Sequence, residues 1–189
     1  MNLNSDKKTL EIVFLVDSSE SMKGSVIGRI NTSIEELVSD IKEIAEARPD
    51  TNVNIRCISY SSGSKWTCLE HVPAQTFRWC YLNAEGKSDL GSGCLRLNQF
   101  LDKGGFSTEK SYRPIIFLLA GSVPTDNFKY AMFKLSENEW FQKALKVAVD
   151  FSEQSVNNVL LQFTGNKRNI LDTCNPSVLK RWIQFFQSR

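Results

Sequence analysis

The segment from Thr9 to Met22, TLEIVFLVDSSESM, constrains the fold more than any other stretch of the chain. Leu10, Ile12, Val13, Phe14, Leu15 and Val16 make a near-unbroken apolar run rich in β-branched and aromatic side chains. A half-solvated strand would alternate, so this run reads as a strand buried on both faces of a parallel sheet. It stops at Asp17, Ser18, Ser19, Glu20 and Ser21, which crowd carboxylates and hydroxyls onto the carboxyl end of the strand. Open α/β sheets place their ligands at that edge. Asp17, Ser19 and Ser21 keep a D-x-S-x-S spacing, three hard oxygen donors that a tight strand-to-helix turn can aim at one point. Donors of this kind suit Mg²⁺ or Mn²⁺. The competing reading of the same residues is a turn and helix N-cap, which Ser and Asp supply wherever a strand feeds a helix.

Further along, Ile27, Ile30, Ile34, Leu37, Val38, Ile41, Ile44 and Ala45 recur at three- and four-residue steps, an amphipathic helix that Pro49 ends. Val53 to Ser62 alternates apolar and polar residues, and after a turn at 61–64 the stretch Trp66 to Val72 is expected to pair with it antiparallel at the sheet edge. Thr76 to Gly93 mixes Phe77, Trp79 and Tyr81 with the polar run NAEGKSDLGSG. Part of it reads as loop, with Trp79 and Tyr81 as candidates for exposed aromatic contacts. Leu90, Cys94, Leu95, Leu97, Phe100 and Leu101 predict a helix closed at Gly104 and Gly105. Arg113 to Ala120, RPIIFLLA, is a second apolar strand running into a turn-forming loop, GSVPTDN. Ser136 and Glu139 have capping-box spacing, so a short helix carrying Trp140 and Phe141 into the core is expected there. Val147 to Phe151 reads as a strand, Val156 to Phe163 as a helix closed by Gly165, Asn169 to Leu171 as a brief strand and Val178 to Phe186 as a last helix. This alternation predicts an α/β fold: a doubly wound, mostly parallel six-stranded sheet with one antiparallel edge strand and helices on both faces.

With 189 residues, 41% of them hydrophobic, the chain is expected to form one domain over 1–189, with 1–8 as a flexible N-terminal tail. Lys plus Arg (23) against Asp plus Glu (21) leaves a net charge of +2, too weak a field to draw nucleic acid or an anionic membrane. No leader-like apolar segment and no run approaching the roughly 18 apolar residues of a membrane span is present, so the chain reads as soluble and cytoplasmic. Five cysteines (Cys57, Cys68, Cys80, Cys94, Cys174), with no C-x-x-C pair and only His71 to join them, oppose a zinc site and a disulfide framework. Reduced thiols fit, leaving open whether Cys57 and Cys68 pair across neighbouring strands. His71 itself reads as an edge-strand residue, and Lys167, Arg168, Lys180 and Arg181 as a solvated face.

Together FLVDSSESM, EGKSDLGSG and IIFLLAGSVPTD resemble the von Willebrand factor type A (vWA) family, nearest its bacterial tellurium-resistance TerY-like branch, over nearly the whole chain from Leu10 to Phe186. The resemblance implies a metal-ion-dependent adhesion site, MIDAS, in which three loops hold a cation whose open position takes an acidic residue of a partner. Carried over by position, the first loop supplies Asp17, Ser19 and Ser21, and GKSDLG places Ser88 at the family's threonine. The third loop departs from the pattern. Aligning Pro124, Thr125 and Asp126 with the family's T-D-G-x-P-T-D puts Ala120 at the threonine, Gly121 at the aspartate and Ser122 at the glycine. Even lost outer-shell partners cost about 10- to 100-fold in metal affinity, so a lost carboxylate implies a degenerate site that binds Mg²⁺ or Mn²⁺ weakly or not at all. Glu20 and Asp89 are the carboxylates nearest in sequence that could compensate, while Asp126 is expected to cap the segment after it.

The reading that follows is a non-catalytic protein-protein interaction module, docking through loops at Asp17 to Gly24, Gly86 to Gly93 and Gly121 to Asn127, with Ser18, Glu20, Asp89, Ser122 and Asp126 toward the partner. By the resemblance, that partner is a phosphatase or kinase of a bacterial stress or tellurium-resistance system. The first alternative is a working Mg²⁺- or Mn²⁺-dependent adhesion site rescued by Glu20 or Asp89. A second, a nucleotide-binding or hydrolytic enzyme on a Rossmann-like sheet, is disfavoured because the first βα turn is D-S-S-E-S-M rather than G-x-G-x-x-G.

Overall fold

A computed structural model describes residues 7–152 and 157–171, apart from the side chains of 68–71 and 157. The apolar run forms β1 (Lys8–Asp17), in which every residue from Leu10 onward is buried. It is flanked by parallel neighbours on both sides, β2 (Thr51–Ser61) and β4 (Ile115–Ala120). β3 (Gly63–Pro73) returns antiparallel beside β2, and β5 (Leu145–Asp150) and β6 (Ile170–Leu171) extend the other side in parallel, giving the order β3-β2-β1-β4-β5-β6. The expected doubly wound sheet with one antiparallel edge strand is therefore present. Because the chain winds outward from β1 to β2 and only later to β4, the carboxyl ends of β1 and β4 flank the point where winding reverses. A crevice opens there in folds of this class.

Strand periodicity divides the core into two layers. Leu10, Ile12, Phe14 and Val16 face α1 (Ser25–Glu46), whose Ile30, Ile34, Leu37 and Ile41 are buried at helical steps. Val13 and Leu15 face the opposite layer of α2 (Leu90–Lys103), α3 (Phe128–Ser136), α4 (Glu139–Lys143) and α5 (Asn157–Thr164). Each aliphatic side chain so buried contributes about 1.5–3 kcal/mol. Phe14 and Phe117 stack across β1 and β4 with centroids 5.4 Å apart, locking the two strands that end at the crevice. Glu11 interrupts the apolar run, yet it is buried: its carboxylate accepts from Arg56 Nε and Asn54 Nδ2, each at 2.8 Å.

Several expectations are corrected. Lys8 belongs to β1 rather than to a tail. α3 was not foreseen, although Phe128, Ala131, Met132 and Leu135 keep helical spacing, because nine residues following a turn-rich loop show the stripe for little more than two turns. Ser136 is the last residue of α3, not a cap: its hydroxyl donates to Phe133 O, and Asn138 caps α4 by accepting from Trp140 N and Phe141 N. Phe141 is buried as expected. A register irregularity between Ile55 and Cys57 sets Thr67, not Cys68, opposite Cys57. The last helix (178–186), Cys174, Lys180, Arg181 and the side chain of His71 lie outside the described residues. Among the described residues, no helix is long and apolar enough to cross a membrane.

Candidate functional site

Asp17 closes β1 with no solvent exposure, its carboxylate turned into the crevice between β1 and β4. The turn after it folds back, so that Ser19 N donates to Asp17 Oδ1 at 2.9 Å. Oδ2 receives the Ser122 hydroxyl at 2.6 Å, with Gly121 N at 3.4 Å and the Ser88 hydroxyl at 3.5 Å. Ser19 Oγ lies 2.9 Å from Ser21 Oγ and 3.2 Å from Ser122 Oγ. The structure thus brings Asp17, Ser19, Ser21 and Ser88 together, as the sequence predicts. It also adds Ser122, which fills a place in the pocket itself.

The remaining residues go elsewhere. Ser18 is 5% exposed and its hydroxyl donates to Tyr60 O, so it faces inward rather than toward a partner. Glu20 is exposed and ion-paired with Lys23, and its carboxylate stays outside the pocket; that pairing lowers its pKa. Asp89 accepts from Gly63 N and from Thr125 Oγ1, each at 2.8 Å, tying the middle loop to the β2–β3 turn and to the third loop. Neither Glu20 nor Asp89 supplies a second carboxylate here. Asp126 caps α2, a helix preceding it in sequence, by accepting from Gly91 N at 2.9 Å and Ser92 N at 2.7 Å, while Asn127 caps the segment that follows.

The space beside the position that would carry the second carboxylate is taken by the flexible end of Met22. A Cβ built on Gly121 would sit 2.8 Å from Met22 Sδ, closer still to Met22 Cε, and 3.2 Å from Phe151 Cβ. One carboxylate and four hydroxyls line the pocket, and the carboxylate already takes hydrogen bonds from this chain's own donors; this set carries less negative charge toward a divalent cation than one with two carboxylates.

Sequence reasoning missed the pin that holds the middle loop. Asn31 of α1 is buried; its Nδ2 donates to Leu82 O at 3.0 Å, and its Oδ1 accepts from Leu82 N at 2.9 Å and Trp79 Nε1 at 3.1 Å. A polar residue between Ile30 and Ile34 on the apolar stripe was the signal. Trp79 is thereby half-buried in this network, whereas Tyr81 is 61% exposed with its hydroxyl on Glu35, a contact that raises its pKa.

No family model and no curated protein matches the sequence. Solved structures match the fold. Proximal thread matrix protein 1 from the mussel byssus is similar at 17% identity and a TM-score of 0.60, over 95% of this chain and 47% of its own. A structure of that protein with a zinc-occupied MIDAS motif is similar at 16% identity and a TM-score of 0.59, over 95% and 47%. A von Willebrand factor type A structure from Catenulispora acidiphila gives 12% identity and a TM-score of 0.63 over 96% and 42%, and VWA2, the ArnB paralog of Sulfolobus acidocaldarius, gives 17% and 0.57 over 94% and 44%. The chain spans less than half the length of each of these proteins. On strand order, winding and these likenesses, the fold of this chain is that of a vWA domain.

Proposed function

We propose that the chain is a non-catalytic protein-docking module whose three carboxyl-edge loops meet another protein without a bridging cation. The observation that carries this reading is the closed Asp17 carboxylate, held by Ser122 and Ser19 while Met22 occupies the space beside Gly121. Around it the loops present Glu20, Val123 and Thr125 to solvent, a mixed apolar and polar rim of the kind partners use. Resemblance to the TerY-like branch makes a phosphatase or kinase of a bacterial stress or tellurium-resistance system the expected partner, met in the cytoplasm. The zinc-occupied MIDAS of the mussel protein favours a second reading, in which a cation completes the pocket.

Anything that binds the folded state alone raises the melting temperature by mass action. Melting the full chain in Mg²⁺, Mn²⁺, Zn²⁺ and EDTA therefore separates the two readings: superimposable curves are expected, and a saturable metal-dependent rise overturns metal-independence. A partner retained in EDTA and lost on Val123→Asp and Glu20→Arg completes the case. Retention unchanged by both substitutions would place docking elsewhere.

A further inference from the structure

We propose that the polar cleft between the β2–β3 hairpin and the 80–86 segment is a binding site for a small zwitterion of the free α-amino-acid class. Two adjoining cavities of about 400 and 230 Å³ share Ser59, Ser61, Lys65 and Glu85 in their walls. The larger falls at the low end of ligand pockets, about 300–1,000 Å³, and the smaller below it, which suits a small molecule. The cleft adjoins the docking loops at Ser18 and Gly86 but does not rest on the docking reading; either can fail alone.

Its floor is polar without a structural reason. Ser59 lies inside β2, 2% exposed, and its hydroxyl has no hydrogen-bond partner among the described residues while it lines both cavities. The hydroxyl opens onto both cavities, where a ligand's polar atom can take the place of water. The antiparallel register sets Lys65 directly opposite Ser59, at the mouth of the same cleft. Glu85 stands on the other wall. Both are exposed, and neither forms an ion pair among the described residues.

These two charges decide the ligand class. A simple anion would satisfy Lys65 and face Glu85, a simple cation would do the reverse, and a neutral polyol would use neither. A zwitterion uses both, its carboxylate on Lys65 and the Ser59 hydroxyl and its ammonium on Glu85. The wall is set before any ligand arrives: Leu82 is held on both its backbone groups by Asn31, and Glu85 N donates to Ser18 O at 2.9 Å. Gly86 approaches Ser62 so closely that a Cβ would come within 2.6 Å of its hydroxyl.

The test titrates the full chain with each of the twenty free α-amino acids up to about 10 mM, a range that reaches even millimolar affinity. Binding is followed by calorimetry and by alkylation of Cys80, an exposed thiol on the wall of the smaller cavity, read by mass spectrometry of its peptide. At least one amino acid is expected to bind saturably and to slow alkylation of Cys80. Lys65→Met and Glu85→Gln, both at exposed positions, are each expected to weaken it tenfold or more. The matching deaminated acid and decarboxylated amine should likewise bind at least tenfold more weakly. Absence of saturable binding, indifference to both substitutions, or equal binding of the deaminated acid overturns the proposal.

Discussion

Met22 packs its thioether against Gly121, leaving a Cβ at position 121 only 2.8 Å from Sδ. The relationship turns a missing carboxylate into a filled one, since an aspartate restored there must displace a side chain that is 2% exposed. Overpacking a core site costs about 1–3 kcal/mol. Gly121→Asp alone is therefore expected to lower stability by about that much in urea unfolding and to show no Mn²⁺-dependent change in melting. Combined with Met22→Ala, which opens the space, the same substitution should give a melting temperature higher in Mn²⁺ than in EDTA. A double variant indifferent to Mn²⁺ would mean that the lost carboxylate is not what closed the site.

Donor distances at Asp17 rank its supports. Ser122 donates at 2.6 Å and Ser88 at 3.5 Å, the second at the limit of a hydrogen bond. Removing a donor from a buried charged acceptor costs about 1–3 kcal/mol. Ser122→Ala should fall in that range, and Ser88→Ala well below about 1 kcal/mol. Chemical denaturation of the two variants side by side gives the order, and a larger loss from Ser88→Ala would show that the pocket is organised around the middle loop instead.

Asn31 makes three hydrogen bonds to a segment that has no regular secondary structure of its own. At about 1 kcal/mol net for each, Asn31→Ala is expected to cost roughly 2–3 kcal/mol. Trp79 should also move to a wetter environment, seen as a red shift in emission that is absent when Trp79→Phe is added. Unchanged Trp79 emission would mean that the segment is pinned by something other than Asn31.

How much of this was legible in the sequence depended on whether a residue's partner lay nearby in the chain. β1 and β4 announced themselves because burial on both faces leaves only apolar side chains, and α1 because its stripe repeats over many turns. D-x-S-x-S was readable as a turn aimed at one point. Asp89 and Asp126 were not, since their partners, Gly63, Thr125, Gly91 and Ser92, are chosen by how three loops stack and not by spacing within one loop. Met22 likewise carried no signal of its own, since its place beside Gly121 is set by how β4 packs and not by spacing in the chain. The capping box at Ser136 failed because Ser136 closes α3, and α4 begins after Asn138, which caps it at Trp140 N and Phe141 N.

Tyr60 gives a prediction in which pH carries the sign. Its ring is wholly buried, its hydroxyl has no hydrogen-bond partner among the described residues, and burial, reinforced by Asp17, raises its pKa well above the ordinary 10.0. Burial likewise pushes the Cys94 thiol above its ordinary 9.0. Each group keeps its proton in the folded chain at a pH where the unfolded chain has lost it, so the folded state binds more protons and stability falls as pH rises. Below pH 9 neither group contributes a slope; the fall begins there with Cys94 and steepens past 10 with Tyr60. Tyr60→Phe deletes a hydroxyl that is desolvated without compensation, so it should raise stability at pH 7 by about 1 kcal/mol. The same change should flatten the decline above pH 10 while leaving the part that starts near 9. Urea midpoints from pH 7 to 11 measure both effects, and a Phe variant less stable than wild type at pH 7 would show that the phenol is satisfied after all.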